Sequence, residues 1–543
     1  MDHLKILGRH QNGNGSYAGK ELVSRALGSF YTPAEIGKDL AASVVAALDV
    51  VPRDRISVID PFAGDGRLVS WLLQVVATER PSLRAAKWTV ALWEWEEEPL
   101  QRGKVAIREL ADELGVQIEI SAHAGDTFER APDEYGCFDL VITNPPWEVL
   151  KPDRRELQDF EASDREAYLS ALRRRDDRLV EMYPLSQPKP KFSGWGTNLS
   201  RVGSEIALRL ARPGGVCGIV APASLFGDYV SRRLREWIFR HNRLTQLAFF
   251  PAEARLFESV DQPSITMTAV VGDETESSPS ITVHGQNRTD VRTVVELDLA
   301  EFESDGFTLP VHFGAAPLEL LSRFDRFPRF SDMEDSEGLW AGRELDETRY
   351  KEWTREVGPH PFAKGRMISR YEIAEGPSRF VTDDGPSIPF SVGYRRIAWR
   401  DVSRPTQKRR MKATVIPPGW VTGNSLSVAL FRDDNESKLC ALLAVMNSFV
   451  FEFQMRAFLA TAHVSLSTVR KGRVPGLDRE DLVKELSDLV SQRISGDQSV
   501  GPRLEVAVAK AYGLERNCFE RVVQAFPKVT EEERRRLLDD GLW

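Results

Sequence analysis

The sequence predicts an α/β protein whose first half forms a doubly wound, Rossmann-like sheet. Short apolar runs of strand length, at 56–60, 88–93, 117–122 and 138–143, alternate with stretches of helical periodicity. That alternation is typical of a parallel sheet covered by helices. A polar or acidic side chain stands at or just after the end of each run. Because open α/β sheets bind ligands at the carboxyl ends of their strands, we expect the functional site at this edge.

Composition limits the class of protein. At 543 residues the chain is long enough for two or three domains, and its 42% hydrophobic content is typical of a soluble globular protein. No apolar stretch approaches the length of a membrane span, and the N-terminus lacks a signal-peptide pattern, so a cytoplasmic protein is expected. The four cysteines and eight histidines are dispersed, which predicts reduced thiols and no metal site.

The net charge of -9 requires any nucleic-acid-binding surface to be locally basic. The segment 394–412 has that character, because basic residues greatly outnumber its one acid, Asp401. Arginine offers bidentate contacts to phosphate and to guanine. The alternative interpretation is a solvated basic hairpin. The predicted DNA-binding residues are Arg395, Arg396, Arg400, Arg404, Lys408, Arg409, Arg410 and Lys412.

The first strand leads into the turn 61–66, whose glycines allow the backbone to approach a ligand closely. The turn is not a dinucleotide GxGxxG, since position 69 is valine, and it is not a phosphate-binding loop. Asp60 at the strand end and Asp65 in the turn would repel a phosphate. They would suit a ligand that carries an ammonium and a sulfonium, as S-adenosylmethionine does.

Acidic residues also follow the second and third strands. Glu94 is placed to accept hydrogen bonds from the two hydroxyls of a ribose, although the acidic run leaves Glu94 or Glu96 open. Asp126 could accept from an adenine amino group, and Phe128 could cover the face of that ring. Each acid alone is more often a solvated loop carboxylate. Their recurrence at one sheet edge favours a cofactor site.

The fourth strand ends at Asn144, Pro145, Pro146 and Trp147. Neither proline donates a backbone hydrogen bond, and each restricts the residue before it, so the loop is stiff. The Asn144 side-chain oxygen and the Pro145 carbonyl can both accept from an NH2 group, and Trp147 can stack on the ring that carries it. Such positioning suits chemistry on an exocyclic amine. A plain proline-rich turn is the alternative.

Three further elements surround this predicted core. Thr32 is expected to cap a helix over 34–48, with Pro33 at its first position. The charged, helical segment 153–177 is expected to cover the site, with its charges on a solvated face. The strands 244–250 and 264–271 are expected to complete the sheet.

Taken in order, the segments 30–33 (FYTP), 60–66 (DPFAGDG), 125–126 (GD) and 144–147 (NPPW), with Glu94 between the second and third, resemble the gamma class of N6-adenine DNA methyltransferases. This resemblance covers residues 1–270. More loosely, the segments 362–371, 413–419, 442–448 and 466–475 resemble the recognition domains of TaqI-like and Eco57I-like enzymes. The layout resembles the adenine methyltransferases that accompany type IIS restriction enzymes.

The resemblance implies a role for each matching residue. Asn144 and Pro145 would hold the target amine, Trp147 would stack on the flipped base, and Phe257 would pack on its other side. The implied catalytic residues are Asn144, Pro145, Pro146, Trp147 and Phe257. The implied S-adenosylmethionine-binding residues are Phe30, Tyr31, Thr32, Pro33, Asp60, Phe62, Ala63, Gly64, Gly66, Glu94, Trp95, Asp126, Thr127, Phe128 and Asn144.

The resemblance also implies an architecture and partners. A methyltransferase domain is expected at 1–275, a connecting region at 276–340, an α+β target-recognition domain at 341–480 and a helical segment at 481–543. Double-stranded DNA is the expected substrate, read by a monomer without membrane contact. A cognate restriction endonuclease and a second methyltransferase of the same system are the expected functional partners.

Several alternatives stay open at this point. They are a phage-defence adenine methyltransferase that needs partner proteins, an inactive DNA-specificity subunit, and a methyltransferase of RNA guanine or protein glutamine. A fused nuclease is disfavoured, because no PD…(D/E)xK constellation is evident. The choice of adenine over cytosine rests on the resemblance alone, and the recognition sequence cannot be read from the residues.

Overall fold

A computed structural model describes the chain in two compact units, Met1–Leu309 (unit 1) and Pro310–Trp543 (unit 2). The residues described are 31–48, 54–152, 162–188, 196–257, 262–285, 293–295, 299–303, 305–309, 320–347, 350–385, 387–404, 407–459 and 462–543.

Unit 1 is built on a mixed sheet in the order β3-β2-β1-β4-β5-β7-β6-β8-β9 among the described residues. The first five strands in this order are parallel, and β7 runs antiparallel to both of its neighbours. The strands are β1 (Arg55–Asp60), β2 (Lys87–Glu94), β3 (Gln117–Ala124), β4 (Phe138–Thr143), β5 (Ala211–Pro222), β6 (Asn242–Phe250), β7 (Ser264–Val271), β8 (Ser280–Val283) and β9 (Thr293–Val295).

Helices pack on both faces of this sheet. The longer ones are α1 (Ala34–Ala47), α2 (Arg67–Glu79), α3 (Glu97–Leu114), α4 (Ala162–Met182), α5 (Leu199–Leu210) and α6 (Arg232–His241). Single helical turns lie at Pro81–Arg84, Thr127–Arg130, Ser224–Gly227 and Ala300–Glu303. Helices α1, α2 and α3 share one apolar cluster with Val58 and Leu140. Their neighbours Ile59 and Val141 are also fully buried but lie outside that cluster, so the opposite face is covered too.

The predicted strands and helices of unit 1 are present where the structure describes them, with two differences; residues 153–161 of the predicted charged helix lie outside the described residues. First, β8 and β9 extend the sheet within a stretch for which the sequence predicted a connecting region. Second, the residue before α1 is Pro33, and no side chain caps that helix. The Thr32 hydroxyl instead accepts a hydrogen bond from Asn144 Nδ2, at 3.1 Å. The predicted capping role of Thr32 is therefore wrong, because a tertiary partner takes its oxygen.

Unit 2 is an α+β unit. Its sheets have the strand orders β10-β19-β16-β17, β11-β15-β12-β18 and β13-β14. The strands are β10 (Leu339–Gly342), β11 (Thr354–Arg355), β12 (His360–Ala363), β13 (Ile368–Ser369), β14 (Glu372–Ile373), β15 (Phe380–Val381), β16 (Arg396–Arg400), β17 (Ala413–Ile416), β18 (Val421–Thr422) and β19 (Leu426–Phe431).

Helices supply most of the apolar core of unit 2. They are α7 (Phe330–Ser336), α8 (Glu436–Asn447), α9 (Phe449–Phe458), α10 (Leu466–Lys471), α11 (Glu480–Ile494), α12 (Gly501–Ala511), α13 (Arg516–Gln524) and α14 (Glu531–Leu537). Helices α8 and α9 contribute an almost continuous run of buried side chains, which pack with α11, α12 and α13 and with Trp399 of β16.

Two findings concern features that the sequence disfavoured, namely a membrane-spanning helix and a metal site. Among the described residues, no single helix is long and apolar enough to cross a membrane, whereas the bent pair α8 and α9 passes that test together. Within the same residues, no group of three or more His, Cys, Asp or Glu side chains is placed to hold a metal ion.

Gly203 lets α5 pack directly on the loop that follows β4. A Cβ atom at this position would lie 2.3 Å from Pro145 Cβ and 3.2 Å from Phe62 Cε2. Neither neighbour can yield easily, because the proline ring is rigid and the phenylalanine belongs to the turn after β1. The position of the loop therefore depends on the absence of a side chain at Gly203.

We expect Gly203→Ala to destabilise unit 1 by about 1–3 kcal/mol, since the added methyl overpacks the contact. Urea unfolding would measure the loss, and tryptophan emission would report a displaced Trp147. Gly196→Ala is the matched control, because no atom of the described residues lies within 4 Å of the Cβ it would add. Equal stability of the two variants would contradict the proposed close contact.

Candidate active site

The parallel neighbours β2, β1 and β4 bring three predicted residues to one edge of the sheet. Asp60 ends β1, Glu94 ends β2, and Asn144 directly follows β4. The Thr143 hydroxyl donates to Asp60 Oδ1 at 2.7 Å, which joins the ends of β4 and β1. The prediction that these side chains share one edge is confirmed, because they stand at the same ends of adjacent parallel strands.

Asp60 is the most unusual carboxyl group at this edge. Its side chain is 1% exposed, and the Phe62 amide also donates to Oδ1, at 3.1 Å. Oδ2 is buried and has no hydrogen-bond partner among the described residues. Burial raises the pKa of Asp60 to about 7. A buried carboxylate oxygen without a partner is an acceptor that a cationic donor could satisfy.

Glu94 holds the turn after β1. Its Oε2 accepts from the Gly64 amide at 2.8 Å, and its Oε1 accepts from the Trp95 amide at 2.8 Å. Burial raises the pKa of Glu94. Glu96, the other candidate acid, is exposed. Gly64 adopts φ +53°, in the left-handed region that glycine tolerates best, so the residue type fits this turn.

The turn after β3 is tied to the same loop. Asp126 caps the short helix Thr127–Arg130, and its Oδ1 accepts from the Phe128 amide at 3.0 Å. The Thr127 hydroxyl donates to the Pro61 carbonyl at 2.6 Å. The Phe128 ring packs on Phe62 with centroids 5.3 Å apart. The aromatic pair and Asp126 thus form one wall of the candidate cofactor site.

Arg175 of α4 is a residue of this wall that sequence reasoning missed. Its guanidinium binds both Asp126 oxygens, at 2.8 and 2.7 Å, and lies 5.2 Å from the centroid of the Phe128 ring. The side chain is only 5% exposed. The predicted adenine acceptor therefore already carries a cationic partner. The charged segment was expected to present a solvated face, and Arg175 departs from that because α4 turns it onto the wall.

The Asn144–Trp147 loop is linked to the beginning of α1. Besides the bond from Asn144 to Thr32, the Trp147 indole donates to Asn144 Oδ1 at 2.9 Å. The Trp147 and Phe257 rings touch, with centroids 4.7 Å apart and an angle of 54° between their planes. The structure brings together the two aromatics predicted to hold a base, but in direct contact, so a base between them requires the rings to separate.

The remaining predicted cofactor residues lie near this loop. Tyr31 is half-exposed, and its ring lies 3.5 Å from the position that a Cβ atom on Gly64 would occupy. The Arg67 guanidinium lies 4.4 Å from the centroid of the Tyr31 ring and donates to the Thr32 carbonyl at 3.3 Å. Ala63 donates its amide to the Trp93 carbonyl at 2.9 Å. Phe30 lies outside the described residues.

Three of the eight predicted DNA-binding residues are buried inside unit 2. Arg396 is fully buried and pairs with Glu344 at 2.8 Å. Arg409 is 7% exposed and pairs with Glu452 at 2.8 Å, while Arg410 is 4% exposed and donates its amide to the same carboxylate at 2.7 Å. Their predicted contact with DNA is therefore corrected, because all three side chains are buried within unit 2.

The other five predicted residues are more accessible. Arg395 pairs with Glu436, Lys408 pairs with Glu533, and Arg400 donates to the Arg366 carbonyl at 2.7 Å. Arg404 is exposed and Lys412 half-buried, and neither forms an ion pair with a described residue. The basic segment is thus partly internal and partly at the surface.

The ion pairs of Glu452 with Arg409 and Arg456 allow the burial of this part of the basic segment to be tested. The adjacent Arg409 and Arg456 lower the pKa of Glu452 to about 2, although burial alone would raise it. We expect Glu452→Gln to destabilise unit 2 by about 3 kcal/mol or more, since it leaves buried guanidiniums without their counter-ion. Hydrogen exchange of peptides from 449–458 would locate the loss. Glu436→Gln, which removes an exposed pair, is the control, and equal protection of both variants would contradict the buried network.

Comparisons with known proteins extend this description. No protein-family model matches the sequence, and no curated protein matches it significantly. Among solved structures, DrdV in a cryo-EM structure of a DrdV–DNA complex matches with a TM-score of 0.52 at 10% identity, over 91% of this chain and 59% of that chain. This chain therefore spans about three fifths of DrdV.

Two further structures match less closely. The type IIL restriction-modification enzyme MmeI, in complex with DNA, has a TM-score of 0.46 at 11% identity, over 99% of this chain and 76% of that chain. The type IIG restriction endonuclease BpuSI has a TM-score of 0.43 at 14% identity, over 99% of this chain and 67% of that chain. Together with the observed strand order, the match to DrdV confirms the predicted fold class, an α/β protein with a Rossmann-like sheet.

Proposed function

We propose that the chain is a site-specific DNA methyltransferase that transfers a methyl group from S-adenosylmethionine to N6 of a flipped-out adenine. The observation that carries this proposal is the position of Asn144–Trp147 at the end of β4, hydrogen-bonded to Thr32 and next to the Asp60 carboxyl. An amide oxygen, a proline carbonyl and an indole thus stand beside a buried acid at one sheet edge.

The residues at this edge fit S-adenosylmethionine. Asp60 Oδ2, which has no partner among the described residues, suits the cofactor's ammonium group, and Glu94 lies at the strand end where ribose hydroxyls are held. Phe62 and Phe128 offer an apolar wall for its adenine. When bound, the cofactor supplies an electrophilic methyl group on sulfur.

Asn144 and Pro145 would orient the target amine. In this conformation Asn144 Oδ1 accepts from the Trp147 indole, and a carbonyl oxygen can accept two hydrogen bonds. Two acceptors on one amine aim its own lone pair at the methyl carbon. In a complex with the cofactor, Asn144 and Pro145 would hold the amine in line with the methyl group that the cofactor supplies, and water would accept the proton that the amine loses.

Trp147 and Phe257 would hold the flipped base. Extrusion of a base costs a few kcal/mol. Stacking on an aromatic side chain returns about 1–3 kcal/mol per face, so the two rings together can offset the cost. Because the rings touch in this structure, the base would separate them on entry.

Unit 2 would read the DNA. The proposed contacts are Arg395, Arg400, Arg404, Lys408 and Lys412, the five accessible cations of the basic segment. DrdV, which has a similar fold, was determined in complex with DNA. We place the activity in a restriction system, as the modification partner of a separate endonuclease.

One observation favours a second candidate, a DNA-specificity subunit without catalysis. Arg175 occupies both oxygens of Asp126 and covers Phe128, which the methyltransferase proposal assigns to the cofactor's adenine. If Arg175 keeps these contacts, the adenine lacks its acceptor. Cofactor binding by the purified chain therefore separates the two candidates.

The main test is single-molecule sequencing of DNA from a methylation-free host that expresses this chain. We expect N6-methyladenine in one short motif, and none with Asn144→Ala, because that variant loses the acceptor for the target amine. Cofactor affinity should stay near wild type in Asn144→Ala, and Gln492→Ala, at an exposed position of α11, is the control. Unmodified DNA with intact cofactor binding would contradict the proposed activity.

Cofactor affinity should also depend on pH through Asp60. Because its pKa is raised to about 7, the carboxyl is mostly protonated below that pH, and an ammonium ligand must displace the proton. We expect roughly eightfold weaker binding at about pH 6 than at about pH 7.5 by calorimetry. Asp60→Asn should bind weakly with little pH dependence, and exposed Asp112→Asn should behave as wild type. A pH dependence that persists in Asp60→Asn would rule out this origin.

A further inference from the structure

Three segments of unit 2 that the proposed function leaves unused meet at Asn447. The Asn447 side chain exchanges two hydrogen bonds with the Ala413 backbone, at 3.0 and 2.9 Å. The Tyr371 amide donates to the Ala413 carbonyl at 2.9 Å. The Asn447 carbonyl accepts from Arg370 at 2.7 Å and from Arg409 at 2.6 Å. The segments 362–371, 413–419 and 442–448 thus form one junction.

Positive charge exceeds negative charge at this junction. Arg409 binds Glu452 at 2.8 Å and Glu505 at 3.2 Å, and Arg370 binds the same Glu505 at 2.8 Å. Arg456 adds a third guanidinium on Glu452, at 3.0 Å. Three arginines therefore share two carboxylates. An additional anion would balance the cluster.

Among these three arginines, Arg370 has the least complete set of hydrogen bonds to described residues. Both of its hydrogen bonds come from Nη2, while its buried Nε has no acceptor among the described residues. Burial and the neighbouring Arg409 lower the pKa of Arg370. A bound anion beside this guanidinium would supply both a counter-charge and an acceptor.

A pocket of about 390 Å³ opens beside Arg370. Five basic side chains line it, against the two acids Glu505 and Glu533. Besides Arg370 and Arg409, the basic residues are Lys408, Arg493 and Arg536. Arg493 forms no ion pair with a described residue, so its charge is available to a ligand.

Tyr371, which lines the pocket, has a strained backbone conformation. It adopts φ +65°, which is uncommon for a residue with a bulky side chain. The guanidinium carbons of Arg370 and Arg493 lie 5.7 and 5.9 Å from the centroid of its ring, so the ring orients both cations. Strain of this kind persists where the surrounding structure holds it, and it clusters at ligand sites.

We propose that this pocket binds the phosphate group of a nucleotide. Guanidinium groups match phosphate oxygens in pairs, and the volume accommodates a mononucleotide. The phosphate could belong to a free nucleotide or to the DNA backbone. The proposal concerns unit 2 and does not depend on methyl transfer, so either proposal can fail without the other.

The test is calorimetry of the full-length chain with adenosine 5′-monophosphate, and separately with a short DNA duplex. Arg493→Gln removes one pocket charge outside the ion-pair cluster, so the fold should remain, as circular dichroism would check. Lys484→Gln removes a charge from the exposed face of the same helix, α11, and is the matched control.

We expect Arg493→Gln to weaken binding about tenfold, with Lys484→Gln unchanged. Weaker binding of the nucleotide would identify a free ligand, and weaker binding of the duplex alone would identify a backbone phosphate. Equal affinity of Arg493→Gln and wild type for both probes would overturn the proposal, as would equal weakening by Lys484→Gln.

Discussion

The hydrogen bond from Thr143 to Asp60 is the interaction on which the candidate active site depends. It joins the ends of β4 and β1, so the Asn144–Trp147 loop and the turn after β1 are held in one arrangement. Burial raises the pKa of Asp60, although the bond from Thr143 lowers it, and the second carboxyl oxygen is buried without a partner among the described residues.

The surrounding side chains hold the site in a closed arrangement. Arg175 engages both oxygens of Asp126, the Trp147 indole engages Asn144, and the Trp147 and Phe257 rings touch. Each contact satisfies a polar or apolar group that a ligand would otherwise satisfy. Binding of cofactor and base would exchange these internal partners for external ones, at a cost that the ligands' own contacts must offset.

Unit 2 uses much of its arginine internally. Arg396, Arg409 and Arg410 sit in a core that also contains Glu344 and Glu452, because a buried guanidinium needs a counter-ion and hydrogen-bond acceptors. The same cluster meets the strained Tyr371 at the edge of the pocket. Unit 2 therefore combines a buried ionic core, a pocket with excess positive charge and a smaller set of surface cations.

The sequence by itself determined the strands of the parallel sheet, the edge where Asp60, Glu94 and Asn144 stand, and the position of the proline loop. It could do so because these features are local: strand periodicity, glycine turns and proline each act within a few residues. Only the tertiary structure decided that Arg175 covers Asp126, that Thr32 serves Asn144 instead of α1, and that three arginines of the basic segment are buried. Those outcomes depend on contacts between residues far apart in the chain, and a charge run alone does not say which side chains face the core.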